Sequence, residues 1–167
     1  MKKILFVCSG NTCRSPLAEG IARKVLPDRI QTPVAVSSVG SSASEGMPAS
    51  PHAVNVASLH GIDLANHRSR ALDAMSVREA DLIVTMGSKH RAVVGTIDPD
   101  ALSYTVLMTE FCGEVGDVPD PIGGDLPEYE KVYELIERCV DAMAEVLDGY
   151  DGWKPGRGAD GEMEGVS

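Results

Sequence analysis

The sequence predicts an α/β fold built on a parallel sheet, and three observations support that prediction. Apolar runs such as "ILFV" and "ADLIVTM" have the continuous hydrophobic pattern of strands that are covered on both faces. Segments with helical features alternate with these runs along the chain. Helix-start signals, a serine followed by proline, stand at Ser15-Pro16 and at Ser50-Pro51. Strands that alternate with helices form βαβ units, in which the strands lie parallel in one sheet.

Four strands and four helices are predicted. In chain order the strands are "ILFV", "VAVSSVG", "ADLIVTM" and "SYTVLM". The first helix covers about residues 16–25, with Ser15 as its cap and Pro16 at its first position. The second begins at Pro51 and ends before Gly61, and the third is the short segment "SKHRAVVGTI". A loop over residues 109–126 then leads to a long amphipathic helix over about residues 128–147.

Length and charge narrow the class of protein. The 167 residues, 43% of them hydrophobic, predict one globular domain over residues 1–149 and a mobile, Gly-rich acidic tail over residues 150–167. A net charge of -10 without a basic stripe argues against a nucleic-acid partner or an anionic membrane surface. No apolar stretch reaches a membrane-spanning length and no signal segment precedes the first strand. With four cysteines, these features predict a cytoplasmic protein with reduced thiols, and they leave its oligomeric state open.

The turn "VCSGNTCRSP" after the first strand carries the candidate chemistry. It lies where open α/β sheets bind ligands. The backbone N–H groups between Cys8 and Arg14 can form an anion nest at the positive end of the next helix. The predicted phosphate-binding residues are Ser9, Gly10, Asn11, Thr12, Cys13 and Ser15. Arg14 can clamp two phosphate oxygens, and a thiol in such a nest readily forms the nucleophilic thiolate. The turn therefore predicts attack on a phosphoryl group through a thiophosphate intermediate.

Other sites that use similar motifs do not fit this turn. A nucleotide-binding P-loop requires Gly-x4-Gly-Lys-Ser/Thr, and the turn contains no such lysine. A zinc or iron–sulfur site would need further cysteines at short spacing, whereas Cys112 and Cys139 are isolated. The sequence therefore predicts no metal.

These residues resemble the low molecular weight protein tyrosine phosphatase family. "VCSGNTCRSP" followed by "LAEG" matches the Cys-x5-Arg-Ser pattern of that family. The similarity continues through "SSVG", "IDLANHRSR", "ADLIVTM" and "DVPDPIGGDLPEYEKVYELI", and so covers residues 1–147. The resemblance implies a three-layer α/β fold with a four-stranded parallel sheet flanked by helices on both faces. It also implies a phosphorylated protein as substrate and no cofactor.

The resemblance also implies roles for individual residues. Cys8 is the nucleophile, and Arg14 binds the phosphate and stabilises the transition state. Asn11 and Ser15, together with Ser38 or His67, form the supporting hydrogen-bond network.

Two Asp-Pro pairs are candidates for the acid that protonates the leaving group. Asp98 precedes the fourth strand, so it lies at the amino edge of the sheet, away from the cysteine turn. Asp120 lies in the loop that leaves that strand, on the same edge as Cys8. Topology therefore selects Asp120, in agreement with the resemblance, and assigns Asp98 to a turn. A nucleophile together with an acid also argues against a module that only binds phosphate.

Cys13 is a candidate redox partner of Cys8. It could trap oxidised Cys8 as a disulfide and protect it from further oxidation, and the alternative is an inert packing role. A thioredoxin-coupled arsenate reductase shares a very similar cysteine loop. That chemistry needs two more cysteines close together in mid-chain, and residues 14–111 contain no cysteine. We therefore predict a phosphatase with a Cys8–Cys13 redox pair.

The expected substrate depends on two positions, Thr12 and Ile122. In the tyrosine phosphatases that the sequence resembles, aromatic residues follow the Asp-Pro pair, and a bulky aliphatic residue commonly occupies the position of Thr12. Here Ile122 and two glycines follow Asp120-Pro121, and only 4% of the chain is aromatic. The threonine makes the loop similar to that of the bacterial protein-arginine phosphatases in the same family. We predict phosphoarginine as the substrate, with phosphotyrosine as the alternative.

Overall fold

A computed structural model describes residues 1–156 and confirms the predicted fold class. Its strands are β1 (Lys2–Cys8), β2 (Val34–Gly40), β3 (Leu82–Thr85) and β4 (Thr105–Leu107). They form one sheet in the order β2–β1–β3–β4, and every pairing is parallel. The strand order changes direction at β1. The carboxyl end of β1 therefore lies at the switch point where such sheets bind ligands.

Helices cover both faces of the sheet and complete three layers. They are α1 (Arg14–Arg29), α2 (Pro51–Leu59), α3 (Ala74–Glu79), α4 (Ser88–Ile97), α5 (Met108–Phe111) and α6 (Leu126–Val146), with 3₁₀ turns at Pro99–Tyr104 and Leu147–Gly149. Helices α1, α2 and α6 pack over one face, and α3 and α4 pack over the other. Within residues 1–156, no helix is both long enough and apolar enough to cross a bilayer.

The apolar run of β1 is explained by its position between the two helical layers. Ile4 and Phe6 belong to the core under α1 and α6, whereas Leu5 and Val7 belong to the core under α3 and α4. None of the four is more than 3% exposed. A strand that is buried on both faces has no polar alternation, and this is the pattern that predicted the parallel sheet.

Helix α1 begins earlier than predicted. It starts at Arg14 with Cys13 in the cap position, whereas the prediction placed Ser15 as the cap. The Ser15 hydroxyl lies 2.9 Å from Cys8 Sγ and therefore serves the turn instead of capping the helix. Pro16 still lies in the first helical turn, where its missing N–H leaves no bond unmade.

Several other elements also differ in extent from their predicted bounds. Helix α1 continues past residue 25 because Leu26 is packed in the core. Helix α3, which Asp73 caps, was not predicted. Helix α5 interrupts the predicted loop over residues 109–126, and β4 is shorter than "SYTVLM". Helix α6 begins two residues early because Asp125 caps its first turn, and it ends one residue early, at Val146.

The chain continues to pack on the domain beyond the predicted boundary at residue 149. Tyr150 and Trp153 are half-buried against the core cluster under α1 and α6. The backbone N–H of Lys154 donates to the carbonyl of Asp81 at 2.7 Å. These contacts tie residues 150–154 to the sheet edge that precedes β3. The rest of the predicted mobile tail, residues 157–167, lies outside the described residues.

Candidate active site

Cys8 lies at the bottom of the turn between β1 and α1, here called the phosphate loop (residues 8–14). Only 2% of its surface is exposed. Its Sγ lies 3.2 Å from the backbone nitrogen of Asn11 and 2.9 Å from Ser15 Oγ. A thiolate only accepts hydrogen bonds, so both groups can donate to it. The N-terminus of α1, where the helix dipole is positive, lies beside the same sulfur and favours a negative charge on it.

Asn11 holds the curvature of the phosphate loop. Its φ of 55° is left-handed, a conformation that costs energy for any residue except glycine. Its side-chain amide donates to Ser15 Oγ at 2.8 Å and to Ser38 Oγ at 2.9 Å, and its Oδ1 accepts from the Arg70 N–H at 3.0 Å. His67 Nε2 donates to its carbonyl oxygen over 2.7 Å. The structure thus brings Ser38 and His67 together in one network, whereas the sequence had left them as alternatives.

Glu19 lies behind this network and was missed by the sequence analysis. Its Oε2 lies 3.3 Å from Ser38 Oγ and 3.9 Å from His67 Nδ1. By accepting the Ser38 proton, it leaves an oxygen lone pair of Ser38 for the amide of Asn11. The available signal was its spacing, because a residue four positions after Ser15 lies on the same face of the helix.

Gly40, at the end of β2, allows the phosphate loop to lie directly against the neighbouring strand. A Cβ at this position would collide with the carbonyl oxygen of Ser9 and would lie 2.9 Å from the nitrogen of Asn11. The same Ser9 carbonyl accepts the N–H of Ser42 at 3.0 Å. The glycine of "SSVG" is therefore explained by the close approach of two backbone segments.

Arg14 is buried beside the phosphate loop, with 4% of its surface exposed. Its Nη1 donates to the carbonyl of Val118 at 3.1 Å, and its Nη2 donates to Ser9 Oγ at 3.4 Å. Asp120 Oδ2 lies 3.5 Å from the same Nη2. The guanidinium is thus held at both terminal nitrogens, an arrangement that suits two-pronged binding of a phosphate.

Asp120 reaches this site because its loop is attached to the end of β3. Within this acid loop (residues 113–125), the Val118 N–H donates to the carbonyl of Met86 at 2.8 Å. Asp117 Oδ1 accepts the N–H of Ser88, the first residue of α4, at 3.0 Å. These anchors place the Asp120 side chain, 42% exposed, beside Arg14. A partly exposed carboxyl group beside this guanidinium can exchange protons with both a bound molecule and water.

Asp98 lies at the other edge of the sheet and has a local structural role. Its side chain accepts the N–H of Asp100 at 3.0 Å and caps the 3₁₀ turn that leads into β4. The turn assigned to it from the sequence is present.

His90 is a second residue of the site that the sequence analysis missed. It lies in the first turn of α4, is fully buried, and has Nε2 2.9 Å from Ser9 Oγ. Burial lowers the pKa of His90 from 6.5 to about 4. The positive charges of Arg14 and Lys89 act in the same direction, against smaller opposing effects of two acid-loop carboxylates. The imidazole is therefore neutral at pH 7. The available signal was its place after β3, on the same sheet edge as Cys8.

The Cys13 side chain, although part of the phosphate loop, contacts a buried polar pair. Its Sγ lies 3.2 Å from Ser50 Oγ and 3.4 Å from the hydroxyl of Tyr129. Burial, with a contribution from this thiol, raises the pKa of Tyr129 to about 12. Cys8 and Cys13 are both free thiols and both buried.

The two positions assigned to substrate selectivity lie in different settings. Thr12 is half-buried, and its carbonyl accepts the N–H of Ser50 at 2.9 Å. Ile122 is 60% exposed and follows Asp120 by two residues. All of the aromatic residues of the chain, two Phe, four Tyr and one Trp, lie within the described residues. Phe6, Tyr104, Tyr129 and Tyr133 are buried, and Phe111, Tyr150 and Trp153 pack against the core.

Residues 1–156 contain no cluster of three or more His, Cys, Asp or Glu side chains that could hold a metal ion.

Comparison with known proteins finds one family whose sequence model matches most of this chain. The sequence model of the family described as low molecular weight phosphotyrosine protein phosphatase matches residues 3–150. The low molecular weight protein-tyrosine-phosphatase Wzb of Salmonella typhi is 38% identical over 150 residues, which cover 90% of this chain and 97% of the relative. The protein-arginine-phosphatase of Geobacillus stearothermophilus is 38% identical over 147 residues, covering 87% of this chain and 95% of the relative.

A solved structure agrees with these matches. It is the YwlE arginine phosphatase, in a mutant with a phosphorylated active-site serine. The TM-score is 0.83 at 31% identity, and the match covers 89% of this chain and 97% of that one.

Proposed function

Since the chain belongs to the low molecular weight phosphotyrosine protein phosphatase family, we propose that it hydrolyses phosphoarginine in proteins through a phosphocysteine intermediate on Cys8. Family membership makes it a hydrolase that acts on phosphorylated proteins. The observation that carries the proposed mechanism is the convergence on one buried thiol of two donors, Asn11 N–H and the Ser15 hydroxyl, beside the Arg14 guanidinium.

In the first step, the Cys8 thiolate attacks phosphorus. An S–P bond forms while the P–N bond of phosphoarginine breaks, and Asp120 gives its proton to the leaving nitrogen. Arg14 and the backbone N–H groups of the phosphate loop bind the negative oxygens as charge develops in the transition state. The phosphorylated active-site serine of the related YwlE mutant supports a covalent step at this position.

In the second step, water attacks the phosphocysteine. The Asp120 carboxylate takes the proton of that water, a P–O bond forms, and the S–P bond breaks. Cys8 leaves as a thiolate, which the Ser15 hydroxyl stabilises by donating to it over the 2.9 Å contact. Release of inorganic phosphate returns the enzyme to its starting state.

The proposed substrate rests on the groups that surround the phosphate loop. A guanidinium presents several N–H donors, and the protonated carboxyl group of Asp120 can accept one of them through its carbonyl oxygen while its hydroxyl faces the leaving nitrogen. A small polar Thr12 leaves room for that group and offers a hydroxyl. A phosphotyrosine ring, by contrast, is best held by apolar or aromatic walls, and the aromatic residues of this chain are engaged elsewhere.

Phosphotyrosine remains the second candidate because of Ile122. This exposed aliphatic side chain follows Asp120 closely and could pack against an aromatic ring. Sequence identity does not separate the two substrates, since the tyrosine phosphatase and the arginine phosphatase relatives are both 38% identical to the chain.

Replacement of Thr12 by Ile tests the substrate. We expect hydrolysis of phosphoarginine peptides to fall by about tenfold or more, as for the loss of a hydrogen bond to a charged group. Hydrolysis of phosphotyrosine peptides should rise, because the larger aliphatic side chain packs on the ring. The measurement is kcat/KM for both peptides with the parent and the variant.

Two smaller changes at Thr12 separate size from polarity. Thr12→Ser keeps the hydroxyl and should retain the phosphoarginine preference, whereas Thr12→Val keeps the shape and should lose it. Parallel changes with both substrates in Thr12→Ile would refute the role of Thr12 in selectivity.

We also propose that Cys13 protects the nucleophile. Peroxide oxidises the Cys8 thiolate to a sulfenic acid, and the Cys13 thiol displaces the oxidised oxygen as water to form a disulfide. An added dithiol then reduces that disulfide and restores both thiols. Because Cys13 Sγ contacts Ser50 and Tyr129 in the reduced protein, its side chain must rotate toward Cys8 for this step.

Cys13→Ser should therefore recover less activity than the parent after peroxide followed by dithiol. Without a second thiol, the Cys8 sulfenic acid proceeds to sulfinic acid, which dithiol does not reduce. Cys112→Ser is the matched control and should recover as fully as the parent, because Cys112 lies outside the site. Full recovery of Cys13→Ser would leave Cys13 with a packing role only.

A further inference from the structure

The Ser9 hydroxyl lies between a buried histidine and the phosphate-binding arginine. Ser9 Oγ is 2.9 Å from His90 Nε2 and 3.4 Å from Arg14 Nη2. The phosphate loop is thereby linked to α4, which is 81 residues away along the chain. His90 is fully buried, so neither a substrate nor bulk water can reach its ring.

The donors and acceptors of this triad allow His90 one of two roles, as acceptor from Ser9 or as donor to it. A guanidinium can only donate, so Ser9 Oγ accepts from Arg14. The hydroxyl has one proton, and in the first role His90 Nε2 accepts it across the 2.9 Å contact. In this arrangement His90 is neutral and carries its own proton on Nδ1, whereas a ring protonated on Nε2 would donate to Ser9 Oγ. That Nδ1 is buried and has no hydrogen-bond partner among residues 1–156, so the contact with Ser9 is the one side-chain hydrogen bond found for the ring there.

From this arrangement we infer that His90 is a positioning residue, which acts through Ser9 to orient the Arg14 guanidinium. The inference rests on the proposed function of Arg14 in phosphate binding. By accepting the Ser9 proton, His90 fixes the Ser9 rotamer and directs an oxygen lone pair at Nη2. The carbonyl of Val118 holds Nη1. At Nη2, Ser9 Oγ adds a partly buried hydrogen bond beside the 3.5 Å contact with the partly exposed Asp120 side chain, so Ser9 helps to set the rotation of the guanidinium plane.

The first turn of α4 contacts both the phosphate loop and the acid loop. It carries His90, which acts on the phosphate loop, and its Ser88 N–H is bound by Asp117 of the acid loop. The charged groups near the His90 ring are Arg14, Lys89, Asp117 and Asp120. Burial first, and then the two cations, lower the pKa of His90, so the ring is neutral at pH 7 and has one nitrogen that can accept a hydrogen bond.

A double-mutant cycle tests the inference with p-nitrophenyl phosphate as the substrate. His90→Leu removes the acceptor and should lower kcat/KM about tenfold, the effect typical of one lost charge-assisted hydrogen bond. In a Ser9→Ala background the same change should cost less than about twofold, because the link is already broken. His90→Gln, whose side-chain carbonyl can accept the Ser9 proton, should retain most of the parent activity.

Two readouts separate this role from a general structural one. The loss in His90→Leu should be equal for aryl phosphates with good and poor leaving groups, because His90 exchanges no proton with the substrate. The inhibition constant of inorganic phosphate should rise by a similar factor as kcat/KM falls, because the same guanidinium binds the phosphate in both cases. Equal losses in the parent and Ser9→Ala backgrounds, or a loss that depends on the leaving group, would overturn the inference.

The tautomer of His90 can be measured in the unaltered protein, which keeps the inference testable if His90→Leu does not fold. Two-bond ¹H–¹⁵N correlation spectra at pH 7 should show His90 neutral, with its proton on Nδ1. A charged ring or a proton on Nε2 would contradict the arrangement. If the parent acted on neither phosphoarginine nor phosphotyrosine, the proposed function would fail, while this spectrum and inorganic-phosphate binding would still decide the role of His90.

Discussion

Replacement of Cys8 by Ser is expected to abolish turnover while the fold and phosphate binding persist. A serine hydroxyl is not ionised in this environment and attacks phosphorus far more slowly than a thiolate. It is also a poor leaving group in the second step, so any phosphoryl group that reaches it stays attached. We expect kcat for p-nitrophenyl phosphate to fall by at least about 10⁴-fold, as when other enzymes lose their nucleophile.

Three measurements check this result. Steady-state kinetics give the loss of turnover, thermal unfolding shows whether the fold is kept, and mass spectrometry detects a phosphoryl group retained at position 8. Cys112→Ser is the matched control, since it exchanges the same atoms outside the site and should keep activity close to that of the parent. Appreciable multiple turnover by purified Cys8→Ser would show that Cys8 is not the nucleophile.

Replacement of Asp120 by Asn is expected to give the second largest effect, and the size of that effect should depend on the leaving group. An amide cannot donate the proton that a poor leaving group needs. We expect a loss of about 10²–10⁴-fold for alkyl phosphates and a much smaller loss for activated aryl phosphates in the bond-breaking step. The measurement is a series of phosphate esters of increasing leaving-group pKa, analysed by kcat/KM.

Asp98→Asn provides the matched control, because it makes the same chemical change in the other Asp-Pro pair. Asp98 caps a 3₁₀ turn before β4, so its replacement should affect stability slightly and leave the leaving-group dependence unchanged. Equal losses for good and poor leaving groups in Asp120→Asn would indicate that Asp120 positions Arg14 across the 3.5 Å contact and does not transfer a proton.

The order of elements could be predicted from local patterns, whereas their ends could not. Ser50-Pro51 marked the start of α2 correctly, because there the serine side chain accepts the N–H of Ala53 as a helix cap. Ser15-Pro16 has the same local pattern and gave the wrong start for α1. The difference is tertiary, since the Ser15 hydroxyl is engaged by Cys8 and Asn11. One pattern therefore has two outcomes, according to what packs beside it.

The sequence by itself was enough to predict Cys8 as the nucleophile, Arg14 as the phosphate-binding residue and Asp120 as the acid. Cys8 and Arg14 lie within seven consecutive residues, so their meeting depends only on a local turn. Asp120 follows from the rule that the carboxyl ends of parallel strands share one edge, and that rule needs only the order of the strands. Only the tertiary structure decided that His90 supports Ser9, that Glu19 supports Ser38 and that Gly40 makes room for the phosphate loop. Each of these contacts joins two segments that are separated in the chain and brings their atoms to about 3 Å. The packing of the sheet and helix layers decides which segments meet in this way, and the neighbouring residues in the sequence do not.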